Sequence, residues 1–117
     1  MYYLAVDDTI VGHCVVTPGG RRLKMSTKED IVLGPYFVDF RYRGKGYAKV
    51  IVRMTLEYCT YKYKLAFDWI NEHNIPSIKT SENLGMKEVG RLYIKGLMRN
   101  LIEDPNGDNR IYRYEKQ

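Results

Sequence analysis

VDFRYRGKGYAKVIVRMTLEY, residues 38–58, decides how this chain is read. An apolar run ends at Phe40, three cations and two glycines follow (Arg41, Arg43, Lys45, Gly44, Gly46), and a helical pattern begins at Tyr47. A glycine loop that leaves a strand and opens a helix aims backbone N–H groups and the positive end of the helix dipole at one point. Glycine lets the backbone approach a ligand without a Cβ in the way, and neighbouring cations add charge-assisted contacts. A pyrophosphate fits such a cradle. The spacing is neither GxxxxGK followed by Ser or Thr, nor GxGxxG, so the two commonest nucleotide loops are excluded. The plain alternative is a strand-to-helix turn with exposed charges.

Working outward, Tyr47, Val50, Ile51, Met54 and Tyr58 recur at helical spacing, with Lys49, Arg53 and Glu57 opposite, which predicts an amphipathic helix over 47–58. Ile31 to Phe40 reads as the central strand, with Gly34 and Pro35 at a bulge or strand start. LAFDWI, residues 65–70, reads as a second strand, and the helix between makes a right-handed parallel βαβ unit. Upstream, residues 2–6 and 10–16 form a hairpin around Asp7, Asp8 and Thr9, followed by a breaker-rich connection, TPGGRRLKMSTKED, expected to be mobile. Downstream, Asn74 caps a short helix with Pro76 in its first turn and Gly85 as its stop. MKEVGRLYIKGLMRNLI and NRIYRYEK then read as one closing hairpin with Asn106 and Gly107 at its tip. The expected organisation is one α/β domain with a mixed sheet over residues 1–117, in the order β-β-β-α-β-α-β-β.

Composition narrows the function only a little. With 44% hydrophobic and 28% charged residues the chain is of ordinary globular type, and its net charge of +5 favours an anionic partner. The cations are scattered, and the eleven tyrosines sit mostly in apparent strands, so a nucleic-acid surface is the weakest reading. Cys14 and Cys59 have no metal-ligand or disulfide spacing, which points to no metal and to the reducing cytoplasm. MYYLAVDD lacks the basic start and apolar length of a signal peptide, and no apolar run is long enough to span a bilayer.

The segment resembles the coenzyme A loop of the GCN5-related N-acetyltransferases (GNAT), whose signature of Arg or Gln, two residues, Gly, one residue, and Gly or Ala is filled by Arg43, Gly46 and Ala48. Asn74, Ser77, Leu84, Gly85 and Met86 are similar to that family's second conserved stretch, and IVGHCVV is similar to its third strand. The resemblance implies an acyl-CoA N-acyltransferase-like fold and acetyl-CoA as cosubstrate. By it, the main chain at Phe37, Val38 and Asp39 holds the pantetheine arm where the parallel strands splay. Arg43, Gly44, Lys45, Gly46, Tyr47 and Ala48 take the pyrophosphate, and Asn74, with Ser77 beside it, contacts the pantetheine. The implied reaction is direct attack of a primary amine, on a small molecule or a peptide, through a tetrahedral intermediate whose oxyanion meets the backbone near Val38.

Many relatives place an acidic tyrosine where this chain has Ser81, which leaves Ser77, or a tyrosine such as Tyr93 or Tyr112, to protonate the departing thiolate. Ser77 reads equally as a first-turn helix serine. Asp39, Asp68 and His73 are the candidate bases, with a bridging water as a further possibility. Asp39 reads equally as a partner of Arg41, Asp68 as an outward polar position, and His73 as structural. The match begins at the family's second strand. Either the chain is the C-terminal part of a longer protein, or it is a compact variant that completes itself with a second copy, in which case a homodimer is expected. Ser81 and the short front also leave open a catalytically weak acyl-CoA-binding module.

Overall fold

The computed structural model describes residues 1–116. Strand β1 (Tyr2–Val6) turns into β2 (Thr9–Pro18) through Asp7 and Asp8, both at positive φ (49° and 65°). That is the primed turn whose twist matches two antiparallel strands, and aspartate is among the residues that tolerate it. β3 (Ile31–Val38) pairs antiparallel with β2, α1 (Tyr47–Tyr58) crosses over, and β4 (Leu65–Asn71) returns parallel to β3. After α2 (Ile75–Asn83) come β5 (Lys87–Lys95), β6 (Asn100–Glu103) and β7 (Asn109–Glu115), giving one sheet of order β1-β2-β3-β4-β7-β5-β6.

The mixed α/β architecture and the βαβ unit are as the sequence implies, and three details differ. The run expected as one strand over 86–102 breaks at Gly96, where Gly96 (φ 78°) and Arg99 (φ 52°) turn the chain into β6. β7 pairs with β4 and β5, so the residues 104–109 are no hairpin tip but carry the chain over the end of β5. The connection 19–30 is pinned rather than loose. Gly19 N donates to the Asp30 carbonyl at 2.8 Å, Ser26 Oγ donates to the Leu23 carbonyl at 2.6 Å, and Leu23 is fully buried.

The sheet separates two apolar clusters. On the helix side Ile51, Val52 and Leu56 of α1 and Ile78 of α2 pack on Val16, Leu33, Ala66, Ile70 and Tyr112. The other face has no helix; Leu23 of the pinned loop closes it over Val32, Phe67, Leu92 and Ile111. Each of these aliphatic side chains contributes about 1.5–3 kcal/mol by leaving water. The buried stripe of α1 is Ile51, Val52, Thr55 and Leu56, rotated from the expected one, since Met54 and Tyr58 are exposed. Thr55 is accommodated by donating to the Ile51 carbonyl at 2.7 Å.

Asp68 is the exception inside this core. It sits between Ala66 and Ile70 on the helix side of β4, 8% exposed, where an outward polar position was an open reading. Among the described residues its carboxyl accepts one hydrogen bond, from Trp69 N at 2.8 Å. Burial therefore pushes its pKa well up, and the Trp69 amide offsets this only in part.

Two stability tests follow from this packing. A Cβ on Gly107 would overlap the Leu92 carbonyl group, all of it backbone, so Gly107→Ala is expected to cost about 2 kcal/mol or more in urea unfolding. For Asp68 the native state binds the extra proton, so stability contributed by the neutral carboxyl is full below the unfolded pKa of about 4 and is lost as pH rises through the folded pKa. Asp68→Asn should match the parent near pH 4 and melt increasingly higher than it as pH rises toward neutrality; a constant offset in Tm would contradict the assignment.

Candidate active site

Pairing between β3 and β4 is confined to Ile31 with Ala66 and Val32 with Phe67. Immediately beyond, β3 takes three steps from Leu33 to Tyr36 while β2 takes two from Val16 to Cys14. The extra residue is a β-bulge at Gly34 and Pro35, as the breaker pair foreshadows. A bulge bends its strand, and Pro35 has no N–H to offer a neighbour. The two parallel strands consequently diverge toward their C-terminal ends.

Two cavities occupy the wedge. One, of about 800 Å³, lies on the helix side between Phe37 and Val38, the glycine loop, and the first turns of α2. The other, of about 440 Å³, passes between the strands to the opposite face, where Arg22, Trp69, Ile94 and Arg99 wall it. Tyr36, Asn74 and Ser77 line both, so the cavities meet at these side chains.

The glycine loop is built from backbone conformations that only glycine takes cheaply. Gly44 (φ 77°) and Gly46 (φ 82°) are left-handed with open space where a Cβ would point, so the constraint is torsional and not one of crowding. Gly46 is the N-cap of α1 and provides no side-chain partner for the first-turn amides, and Gly46, Tyr47 and Ala48 all line the cavity. Arg43 is folded back: its Nε donates to the Val38 carbonyl at 2.9 Å and its guanidinium lies 5.2 Å from the Phe37 ring centroid. That ties the loop to the end of β3 while keeping the charge on the cavity wall.

Of the residues singled out from sequence, Phe37, Val38, Arg43, Gly44, Gly46, Tyr47, Ala48, Asn74 and Ser77 all border the larger cavity. Asn74 is the N-cap of α2 without using its side chain as a cap, which leaves its amide available to a ligand. Lys45, Asp39, His73, Asp68, Tyr93 and Tyr112 do not border it, and of these Asp68 lines the smaller one. Lys45 lies behind the lining, its Nζ 5.7 Å from the ring centroid of Tyr42, which does border the cavity. β3 ends at Val38, and Asp39 instead caps a 3₁₀ turn (Phe40–Tyr42), accepting from Arg41 N at 3.0 Å and Arg41 Nη2 at 3.1 Å. Those bonds from Arg41 hold its pKa below the usual carboxylate range. His73 is exposed, with its Nε2 3.8 Å from Glu72 Oε1. Tyr93 and Tyr112 border neither cavity, and the Tyr112 hydroxyl donates to Glu82 Oε2 at 3.3 Å.

Tyr36 is the residue that sequence reasoning missed. Its hydroxyl is buried and makes no well-formed hydrogen bond among the described residues. Burial raises its pKa, and the nearby Ser77 hydroxyl pulls it back only in part. A tyrosine in a strand reads as core, and only the adjoining Gly34 and Pro35 hinted that this one stands at a distortion. Cys14, fully buried, has its thiol pushed up to about 11 by burial, which removes it as a nucleophile.

Among the described residues no cluster of metal-ligating side chains occurs, and no helix is long and apolar enough to cross a membrane. No curated protein sequence matches the chain significantly. Solved structures do. A ribosomal-protein-alanine N-acetyltransferase from Brucella melitensis superposes with TM-score 0.73 at 18% identity, covering 97% of this chain and 67% of its own. A protein from Pyrococcus horikoshii gives 0.71 at 19% identity, with 97% and 62% covered. One from Salmonella typhimurium, solved with its cofactor acetyl-CoA, gives 0.70 at 13% identity, with 95% and 61% covered. The chain thus spans about two thirds of the length of these proteins, and at such identities the likeness is one of fold. The sequence profile of the acetyltransferase (GNAT) family matches residues 1–86, which takes in the glycine loop, the splayed strands and α2. The chain belongs to the GNAT acetyltransferase family.

Proposed function

We propose that this domain binds acetyl-CoA in the wedge between β3 and β4 and transfers the acetyl group to a primary amine. The observation that carries this reading is the junction at Tyr36, Asn74 and Ser77. One cavity ends in a glycine cradle fit for a pyrophosphate, the other opens on the far face, and they meet between two strands whose pairing has stopped. The unpaired edge of β3 at Phe37 and Val38 offers backbone groups to an extended pantetheine arm, as an added strand would. The first-turn amides of α1 and the Arg43 guanidinium receive the pyrophosphate, and the Asn74 amide fixes the arm from α2.

With the thioester at the junction, the amine enters from the opposite face. Its nitrogen lone pair attacks the acyl carbon, the C–N bond forms, and the oxyanion is met by backbone N–H near Val38. Collapse breaks the C–S bond. We assign the proton for the departing thiolate to the Tyr36 phenol, with the Ser77 hydroxyl beside it. The raised pKa of Tyr36 keeps that proton in place until the thiolate needs it. The proton released by the amine leaves through water in the open cavity, since burial holds Asp68 toward its protonated form. Asp39 and His73 receive no role in proton transfer.

Isothermal titration is expected to give micromolar binding of acetyl-CoA, and Gly44→Val with Gly46→Val to weaken it at least about 30-fold, since each left-handed residue with a Cβ costs about 1–2 kcal/mol. Unchanged affinity in a folded double variant would remove the loop from the site. Tyr36→Phe should lower kcat about 100-fold with acetyl-CoA affinity preserved, and a full-rate variant would return the acid role to Ser77. Coenzyme A binding with no thiol release against any amine would favour a non-catalytic acyl-CoA-binding module, which the buried Ser81 at the usual acid position motivates.

A further inference from the structure

Arg22 and Arg99 reach the wall of the smaller cavity from two distant parts of the chain. Arg22 belongs to the pinned connection before β3, and Arg99 to the turn between β5 and β6. They are tied together: Arg22 Nη2 donates to the Arg99 carbonyl at 2.6 Å, and the Arg22 guanidinium lies 5.8 Å from the Trp69 ring centroid. That backbone bond uses one of the five N–H donors of the guanidinium and restrains its position, which leaves the other four free for a ligand at this wall.

Among the described residues neither Arg22 nor Arg99 has a carboxylate within 4.0 Å, unlike Arg41, Arg91 and Arg110 and like the remaining arginines; what sets these two apart is that they share one cavity wall. The one carboxyl group bordering the cavity is Asp68, which lies on the buried side of β4 and is held toward neutrality. Among the described residues this side is therefore bordered by two arginines without a carboxylate partner, Arg22 over the indole of Trp69 and Arg99 beside it on the cavity wall. An acceptor that enters as a bare ammonium ion meets repulsion there, while one that also bears an anionic group is attracted.

Building on the acetyl-transfer reading, we propose that the acceptor is an amine that also carries an oxyanion, a carboxylate or a phosphate, received by Arg22 and Arg99 while its nitrogen is directed to the Tyr36 junction. Guanidinium forks pair with both oxyanions in a planar, two-point fashion, so the two sources share one recognition chemistry. Trp69 supplies the flat apolar floor against which the body of such an acceptor lies.

The test compares matched pairs: free amino acids against the same amino acids as carboxamides, and phosphorylated amino alcohols against their unphosphorylated forms, with thiol release as the readout. A preference in kcat/KM of about tenfold or more for the anionic member is expected in one pair, and that pair identifies the oxyanion. In Arg22→Gln with Arg99→Gln the ratio should fall toward one. Equal rates within both pairs, or a preference that survives the substitutions, overturns the proposal. A readout independent of turnover comes from Trp69, the chain's single tryptophan. Its fluorescence should respond saturably to the anionic amine and to inorganic phosphate, not to the carboxamide or to matched chloride, and the response should vanish in the double variant. No response, or one equal for acid and carboxamide, overturns the proposal even if acetyl transfer is established. Absence of acetyl-CoA binding would instead sink the reading of the site, a result the Trp69 titration keeps separate.

Discussion

The parallel pairing of β3 with β4 lasts for two residue pairs and then stops, and the functional architecture hangs on that interruption. In a continuous sheet every backbone N–H and C=O along these strands would be consumed by the ladder. The bulge at Gly34 and Pro35 turns β3 aside, so the strand ends diverge and leave backbone groups facing a wedge instead of a neighbour. The antiparallel pairs on either side, β2 with β3 and β4 with β7, hold the two halves of the sheet so that the wedge is a fixed cleft.

The same interruption explains the unusual chemistry of the residues beneath it. Tyr36, Asp68, Ser77 and Cys14 lie on the helix side of the diverging strands, where a complete core would be apolar. An unpartnered buried phenol and a nearly unpartnered buried carboxyl both cost stability. Burial raises the pKa of each and so favours its protonated form, which biases the cleft floor toward neutral O–H groups and away from anions. The charges are at the two mouths, Arg43 with the amides of α1 at one and Arg22 with Arg99 at the other. Each mouth thus carries cations, and burial disfavours negative charge on the path between them.

Much of this was legible in the residues. The glycine loop, the helix after it, the βαβ unit and the short second helix with Asn74 at its start are all local statements, governed by φ preferences, capping and periodicity within a few residues. The last three strands were misread because Gly96 can sit in a bulge or in a turn with equal local ease, and the choice depends on which strand β7 joins. The loop before β3 reads as mobile because Pro18, Gly19 and Gly20 are breakers followed by mixed polar residues; Leu23, buried against the far face, is what pins it.

Sequence by itself determined that residues 43–48 form a glycine cradle at a helix start, because the positive φ values at Gly44 and Gly46 and the free first-turn amides follow from residue type and order. N–H groups and cations in that arrangement favour an oxyanion, which is the chemistry proposed for the loop. Only the tertiary structure decided which side chains share the cleft with it. Asp39 and His73 are close to the loop or to α2 in sequence yet point elsewhere, while Tyr36, Asp68, Arg22 and Arg99 arrive from separate segments. Burial and proximity across strands are properties of the packed sheet, and no short stretch of residues encodes them.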